Sequence, residues 1–267
     1  MYRYALLVLL TLFLQLGSLV SAEATSQNIR DDLGKYFQNY QGTFVLYDEA
    51  ADQYTIYNEE QSSIRFSPCS TFKIPNSLIG LESGILEKEN ERTLLKWSGK
   101  QYSISAWNQD HTLATAMANS VVWYYQEVAR KIGPERMGYF LQSLQYGNQD
   151  MSGGIDRFWL QSTLTISAKE QVAFIKKLYQ NDLPFSQDNM ALVRKLIILS
   201  TEKNVIFSGK TGSAMEDSKL VLGWFVGCVE KDGHRYFFAT NITGSDEAFG
   251  ARAKEISQQI LTELAIL

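Results

Sequence analysis

The chain has 267 residues, with 25 Lys+Arg against 29 Asp+Glu, 45% hydrophobic and 20% charged residues, two histidines and two cysteines. A net charge of −4 does not supply the basic face that a phosphate backbone requires, so no nucleic-acid partner is expected. His111 and His234, like Cys69 and Cys228, are too far apart to form a metal pair at helical or knuckle spacing, so no metal is expected and acid–base chemistry falls to lysine, tyrosine or carboxylate.

Residues 1–22 read as a secretory signal peptide. Arg3 supplies the positive charge, residues 5–16 form the apolar core, and Val20-Ser21-Ala22 or Ala22-Glu23-Ala24 offers small residues at cleavage spacing. Gln15, Gly17, Ser18 and Ser21 interrupt the stretch and Glu23 follows it, unlike an anchor of roughly 20 apolar residues. The expected mature protein is one domain, residues 23–267. It is exported to a periplasm or the extracellular space and has no stable membrane span after cleavage. In that oxidising setting Cys69 and Cys228 read as buried free thiols, Cys228 within an apolar strand pattern and Cys69 behind a proline at a helix entrance.

Two alternating runs, residues 42–48 and 53–57, predict a β-hairpin across the turn-like Glu49-Ala50-Ala51-Asp52. Three more strands are expected over 204–209, 220–230 and 235–242, the last two joined at Asp232-Gly233, and residues 248–264 close the chain as a helix. Between the two strand groups the pattern is helical. Ser167-x-x-Glu170 is a capping box ahead of Val172, Ile175, Leu178 and Tyr179, and Gly133-Pro134 divides helices over 121–132 and 135–144. Residues from about 90 to 165 therefore read as an all-helical subdomain inserted into an α/β fold.

The segment Ser67-Pro68-Cys69-Ser70-Thr71-Phe72-Lys73 opens a helix, with Ser67 as expected N-cap and Pro68 as its first residue. Ser70 and Lys73 then share a face, a hydroxyl beside an amine. Such a serine is a nucleophile only if a base takes its proton, and lysine can be that base only if burial keeps it neutral. Ser-x-x-Lys alone is a weak signal, and Ser200-Thr201-Glu202-Lys203 repeats it. The repeat follows an expected apolar helix over 191–199 and reads as a solvated connection.

The motifs downstream of Ser70 separate the two matches. Ser120-Val121-Val122 falls at a helix start, Tyr146-Gly147-Asn148 behind a helix, Phe158-Trp159-Leu160 in the insertion, and Lys210-Thr211-Gly212 at a strand end, followed by Gly223-Trp224-Phe225-Val226-Gly227. In this order the set resembles the penicillin-recognising serine enzymes, and in detail the class D β-lactamases, over residues 40–262. Class A relatives carry a polar second motif and a Leu-Asn dipeptide, which this chain lacks. Class C relatives are longer and have no Ser-x-Val here.

The resemblance implies a five-stranded antiparallel sheet flanked by helices. It also implies a small-molecule β-lactam substrate opened by Ser70 through an acyl-enzyme. The base would be Lys73 carrying a carboxyl group taken from CO2 or bicarbonate (N6-carboxylysine), with no other cofactor. Phe72, Val122, Trp159 and Leu160 would form the apolar pocket, and Trp159 would donate its indole N–H to the carbamate. Ser120 would relay a proton to the leaving nitrogen, or cap its helix. Lys210, Thr211 and Gly212 would meet the substrate carboxylate, and the backbone N–H groups of Ser70 and Ser213 would form the oxyanion hole. Arg252 is the nearest match to the family's carboxylate-binding arginine, with Lys254 as competitor. Two other functions share these motifs, a membrane-tethered β-lactam sensor and a D-alanyl-D-alanine peptidase, both of which deacylate slowly. Oligomeric state is left unassigned.

Overall fold

Strands whose every residue is buried must be apolar on both faces, and the central strands here are. In β2 (Gln41–Asp48), β6 (Lys219–Lys231) and β7 (His234–Thr243), Phe44, Leu46, Phe225, Val229 and Phe238 point to one side. Val45, Tyr47, Trp224, Val226, Cys228, Phe237 and Ala239 point to the other. The structure, a computed structural model, describes residues 26–88, 93–244 and 247–267. The expected signal segment, residues 1–22, lies outside them.

The sheet has seven strands rather than five and is mixed rather than antiparallel. Its order is β1-β3-β2-β7-β6-β5-β4, where β1 is Ser26–Ile29, β3 Gln53–Tyr57, β4 Ile198–Glu202 and β5 Val205–Glu216. The two added strands are the edges. β1 runs parallel to β3, and β4 pairs antiparallel with β5. Edge strands that face water need no alternating apolar pattern, and Ser26-Gln27-Asn28 has none. The second Ser-x-x-Lys falls on β4 and the turn after it, so the expected helix over 191–199 stops early, as α7 (Gln187–Leu196).

Helices cover both faces. Against one lies α8 (Gly250–Glu263), through Ala253, Ile256, Ile260 and Leu261. Against the other lie α2 (Lys73–Glu82), α4 (Val122–Ile132), α5 (Pro134–Leu144) and α6 (Ala168–Gln180), with the short α1 (Glu59–Ser63) and α3 (Leu113–Ala118). The punctuation falls where the sequence puts it. Ser167 Oγ accepts from Glu170 N at 3.3 Å while Ser167 N donates back to Glu170 at 2.8 Å, and Gly133, at φ +80°, ends α4 before Pro134 starts α5. His111 is a packing residue, its ring nitrogens bonded to Thr115 Oγ1 and the Ala106 carbonyl. Both cysteines are buried and unpaired.

Candidate active site

Helix α2 belongs to the larger core, buried from Lys73 to Leu81, and the turn that leads into it meets β5. The approach is a 3-10 turn, Cys69–Phe72, and not the capped α-helix expected. Pro68 precedes the turn and Cys69 takes φ +50°, a left-handed conformation costing a non-glycine residue about 1–2 kcal/mol. Ser67 does not cap. Its hydroxyl donates to the Trp159 carbonyl at 2.9 Å and accepts from Gln161 N at 2.9 Å, while Cys69 N also donates to the Trp159 carbonyl at 3.0 Å. The serine turn is thereby stitched to the loop that carries Trp159.

Ser70 is the one residue of the turn that is not buried. Lys73 Nζ lies 2.8 Å from its Oγ, and the lysine itself is fully buried, 5.4 Å above the Tyr125 ring. Burial drives the Lys73 pKa far below that of an ordinary lysine, and the charge of Lys210 lowers it further. The amine therefore gives up its proton far more readily than an ordinary lysine does. Phe72 stacks on Trp159 at 5.3 Å and meets Tyr146 edge-on at 5.7 Å, so three of the singled-out aromatics form one block behind the pair.

Across the cleft, Lys210 on β5 is buried to the point that its pKa falls to about 8, and its Nζ donates to Ser120 Oγ at 3.1 Å. Ser120 does not cap α4, whose N-cap is Val121. It occupies the α3–α4 junction at φ +52°, with its hydroxyl turned toward Lys210. Gly212 needs to be glycine: a Cβ there would come within 2.9 Å of the Pro68 carbonyl and 3.3 Å of Ser70 N. The Lys-Thr-Gly segment does not end its strand. β5 runs on to Glu216 through a bulge at Ala214/Met215, and Asp217 and Ser218, both at positive φ, make the tight turn into β6.

These elements enclose a cleft of about 400 Å³ lined by Ser70, Ser120, Val122, Leu160, Thr211, Gly212 and Ser213, with Ile104, Trp107, Asn119, Ala214, Met215 and Leu220 completing the wall. The arrangement is that of an acyl-transfer site, in which a hydroxyl with an adjacent buried amine faces a buried cation across an apolar slot.

The sequence model of the penicillin binding protein transpeptidase domain matches residues 41–262. Probable β-lactamase YbxI of Bacillus subtilis (strain 168) is 41% identical over 243 residues, covering 91% of this chain and 86% of that protein. The structure of class D β-lactamase BAT-2 superposes with a TM-score of 0.83 at 42% identity, over 88% of this chain and 96% of that one. The chain belongs to the class D β-lactamase family. A relative of a second kind is as similar. Regulatory protein BlaR1 of Bacillus licheniformis is 40% identical over 238 residues, covering 88% of this chain but only 39% of that protein. The C-terminal domain of the Bacillus licheniformis BlaR penicillin-receptor superposes with a TM-score of 0.87 at 38% identity, over 91% of this chain and 98% of that one.

For a class D chain, the structure gathers all but one of the singled-out residues. Arg252 does not line the Ser70 cleft. On α8 it pairs with Glu255 at 2.6 Å and borders a separate hollow with Tyr40 and Glu247, while Lys254 lines another with Lys210 and Thr211. Tyr-Gly-Asn orders the loop beside the site. Asn148 Oδ1 accepts from Thr165 N at 2.9 Å and Asn148 Nδ2 donates to the Thr163 carbonyl at 2.8 Å. Sequence reading missed Tyr125 beneath Lys73, and Ile104, Trp107 and Met215 on the rim. Tyr125 gave no signal because a tyrosine on the buried face of a helix reads as core. The rim residues lie in segments without periodicity.

Proposed function

We propose that this protein hydrolyses β-lactam antibiotics through a Ser70 acyl-enzyme, with Lys73 in its N-carboxylated form as general base. The supporting observation is the fully buried Lys73 amine 2.8 Å from Ser70 Oγ, where burial disfavours its charged form. An uncharged amine, buried over the Tyr125 ring, is the species that captures CO2, and the carbamate so formed supplies a base for both half-reactions. Ser70 Oγ loses its proton and attacks the lactam carbonyl carbon, whose C–N bond breaks. Ser120, bonded to Lys210, delivers a proton to the departing nitrogen. The backbone N–H groups of Ser70 and Ser213 hold the oxyanion. Water then cleaves the ester and regenerates Ser70. Val122 and Leu160 keep the slot apolar, and Lys210 and Thr211 receive the substrate carboxylate.

The similarity to the BlaR penicillin-receptor domain favours one second reading, a β-lactam sensor that acylates and stops. Turnover separates them. With nitrocefin and bicarbonate, the protein should pass through many cycles per active site, lose activity in CO2-free acidic buffer and recover it on adding bicarbonate. A single stoichiometric burst leaving a stable adduct would sink the hydrolase reading. Bicarbonate-independent turnover from about pH 5 to about pH 8 would sink the carbamate base alone.

A pH test addresses Lys210. Its pKa of about 8 makes it a cation below that pH and a neutral amine above it. KM for a penicillin should therefore rise as pH passes from about 7 to about 9, whereas Lys210→Arg, charged throughout, should hold KM level. A KM in the unaltered protein that does not move across this range counts against carboxylate recognition by Lys210.

A further inference from the structure

Gln171 is a long polar side chain on the buried face of α6, only 1% exposed, and shares that helix with the buried Ala168, Val172 and Ile175. A buried amide is costly unless both its ends are bonded, and here they are. Tyr146 Oη donates to Gln171 Oε1 at 3.4 Å, Gln171 Nε2 donates to Thr71 Oγ1 at 2.9 Å, and the Thr71 hydroxyl donates to the Pro68 carbonyl at 2.7 Å. The three bonds run in one direction and end on the peptide that precedes Cys69. That peptide abuts β5, since it is the Pro68 carbonyl that a Cβ on Gly212 would strike.

The base of α6 is itself fixed. Phe66 and Ile166 exchange both backbone bonds, at 3.0 and 2.8 Å, and Arg65 holds Glu170, the residue next to Gln171, by a forked ion pair. Thus the segment leading into the serine turn and the start of α6 are locked together, and Gln171 carries that lock to within one residue of Ser70.

We propose that Gln171 is a positioning residue for Ser70: its side-chain amide, set by Tyr146, fixes the Thr71 hydroxyl and through it the left-handed Pro68–Cys69 turn that aims the nucleophile. An apolar residue would fill the same space in α6. Only a side chain with an acceptor and a donor at this distance also orients the Thr71 hydroxyl. The proposal rests on Ser70 as the nucleophile. If the unaltered protein is not acylated by a penicillin that reading fails, and only a protein that acylates can test this one.

The experiment follows acylation by a fluorescent penicillin over a concentration series, separating the acylation rate constant from the dissociation constant, below each variant's melting temperature. Gln171→Met should slow acylation by between about ten- and a hundredfold, with affinity within about twofold, as misplacement of a reacting atom does. Thr71→Val should slow it similarly, and the double variant should lose little more, because both act through one bond. Gln171→Glu gives a signature that a packing role does not share. Protonated, it can still accept from Tyr146 and donate to Thr71, so its acylation rate relative to the unaltered protein should climb as pH falls from about 8 to about 5.5. Unchanged acylation in Gln171→Met, losses that multiply in the double variant, or a pH-independent ratio for Gln171→Glu would each overturn the proposal. If Gln171→Met does not fold, Thr71→Val and the Gln171→Glu pH series decide it.

Discussion

Lys73→Ala is expected to lower kcat/KM for nitrocefin by roughly 10⁴-fold, the upper end of what loss of a positioned base costs, and bicarbonate should rescue none of it. Ser70 keeps its place, since the 3-10 turn is held by Ser67, Thr71 and the Trp159 loop rather than by the lysine. The loss is therefore chemical. Activity within about tenfold of the unaltered protein would mean that another group takes the Ser70 proton.

The same lysine has a thermodynamic signature. Its pKa is well below the ordinary 10.5 in the folded state and normal in the unfolded chain, so between those two values the unfolded state binds the extra proton. Stability should then rise with pH across that window and fall as pH drops through it. Lys73→Met removes the penalty at similar volume. In CO2-free buffer it should melt higher than the unaltered protein at neutral pH, with the gap closing as pH approaches 10.5. A gap that stays constant would mean that Lys73 is charged where it lies.

The contrast between Ser70 and Ser200 shows how far a sequence reaches. Both head a Ser-x-x-Lys, and the ordered company of Ser120, Trp159 and Lys210 separated them before any geometry was known, because each later motif supplies a part that the first one needs. The central strands were legible for a related reason. Burial on both faces leaves an unbroken apolar run, as in residues 221–229. What escaped was whatever carries no burial signal. β1 and β4 lie at the edges. β5 extends past Gly212 through a bulge, and the left-handed backbones of Cys69 and Ser120 are imposed by neighbours distant in sequence. The capping expectation for Ser67 failed because the Trp159 carbonyl and the Gln161 amide, both more than ninety residues away, compete for its hydroxyl. Arg252 was only the nearest match to a family position, with Lys254 as competitor, and α8 pairs it with Glu255 beside a separate hollow.

Trp159→Ala is the second large effect expected, and it divides stability from chemistry. The indole is 1% exposed and stacks on Phe72, so its removal opens a cavity costing about 3–5 kcal/mol, read as a lowered melting temperature. The cavity opens against Phe72, the residue next to Lys73. Water admitted there would raise the lysine pKa toward normal and leave less neutral amine to react with CO2. Trp159→Ala should therefore need much more bicarbonate for half-maximal turnover than the unaltered protein, while a single acylation stays measurable. Trp159→Phe keeps an aromatic face against Phe72 but loses the indole N–H. It should recover most of the stability and little of the bicarbonate affinity if that N–H holds the carbamate. Equal bicarbonate requirements in all three proteins would assign Trp159 to packing alone, because a side chain that shapes the base must change the conditions under which the base exists.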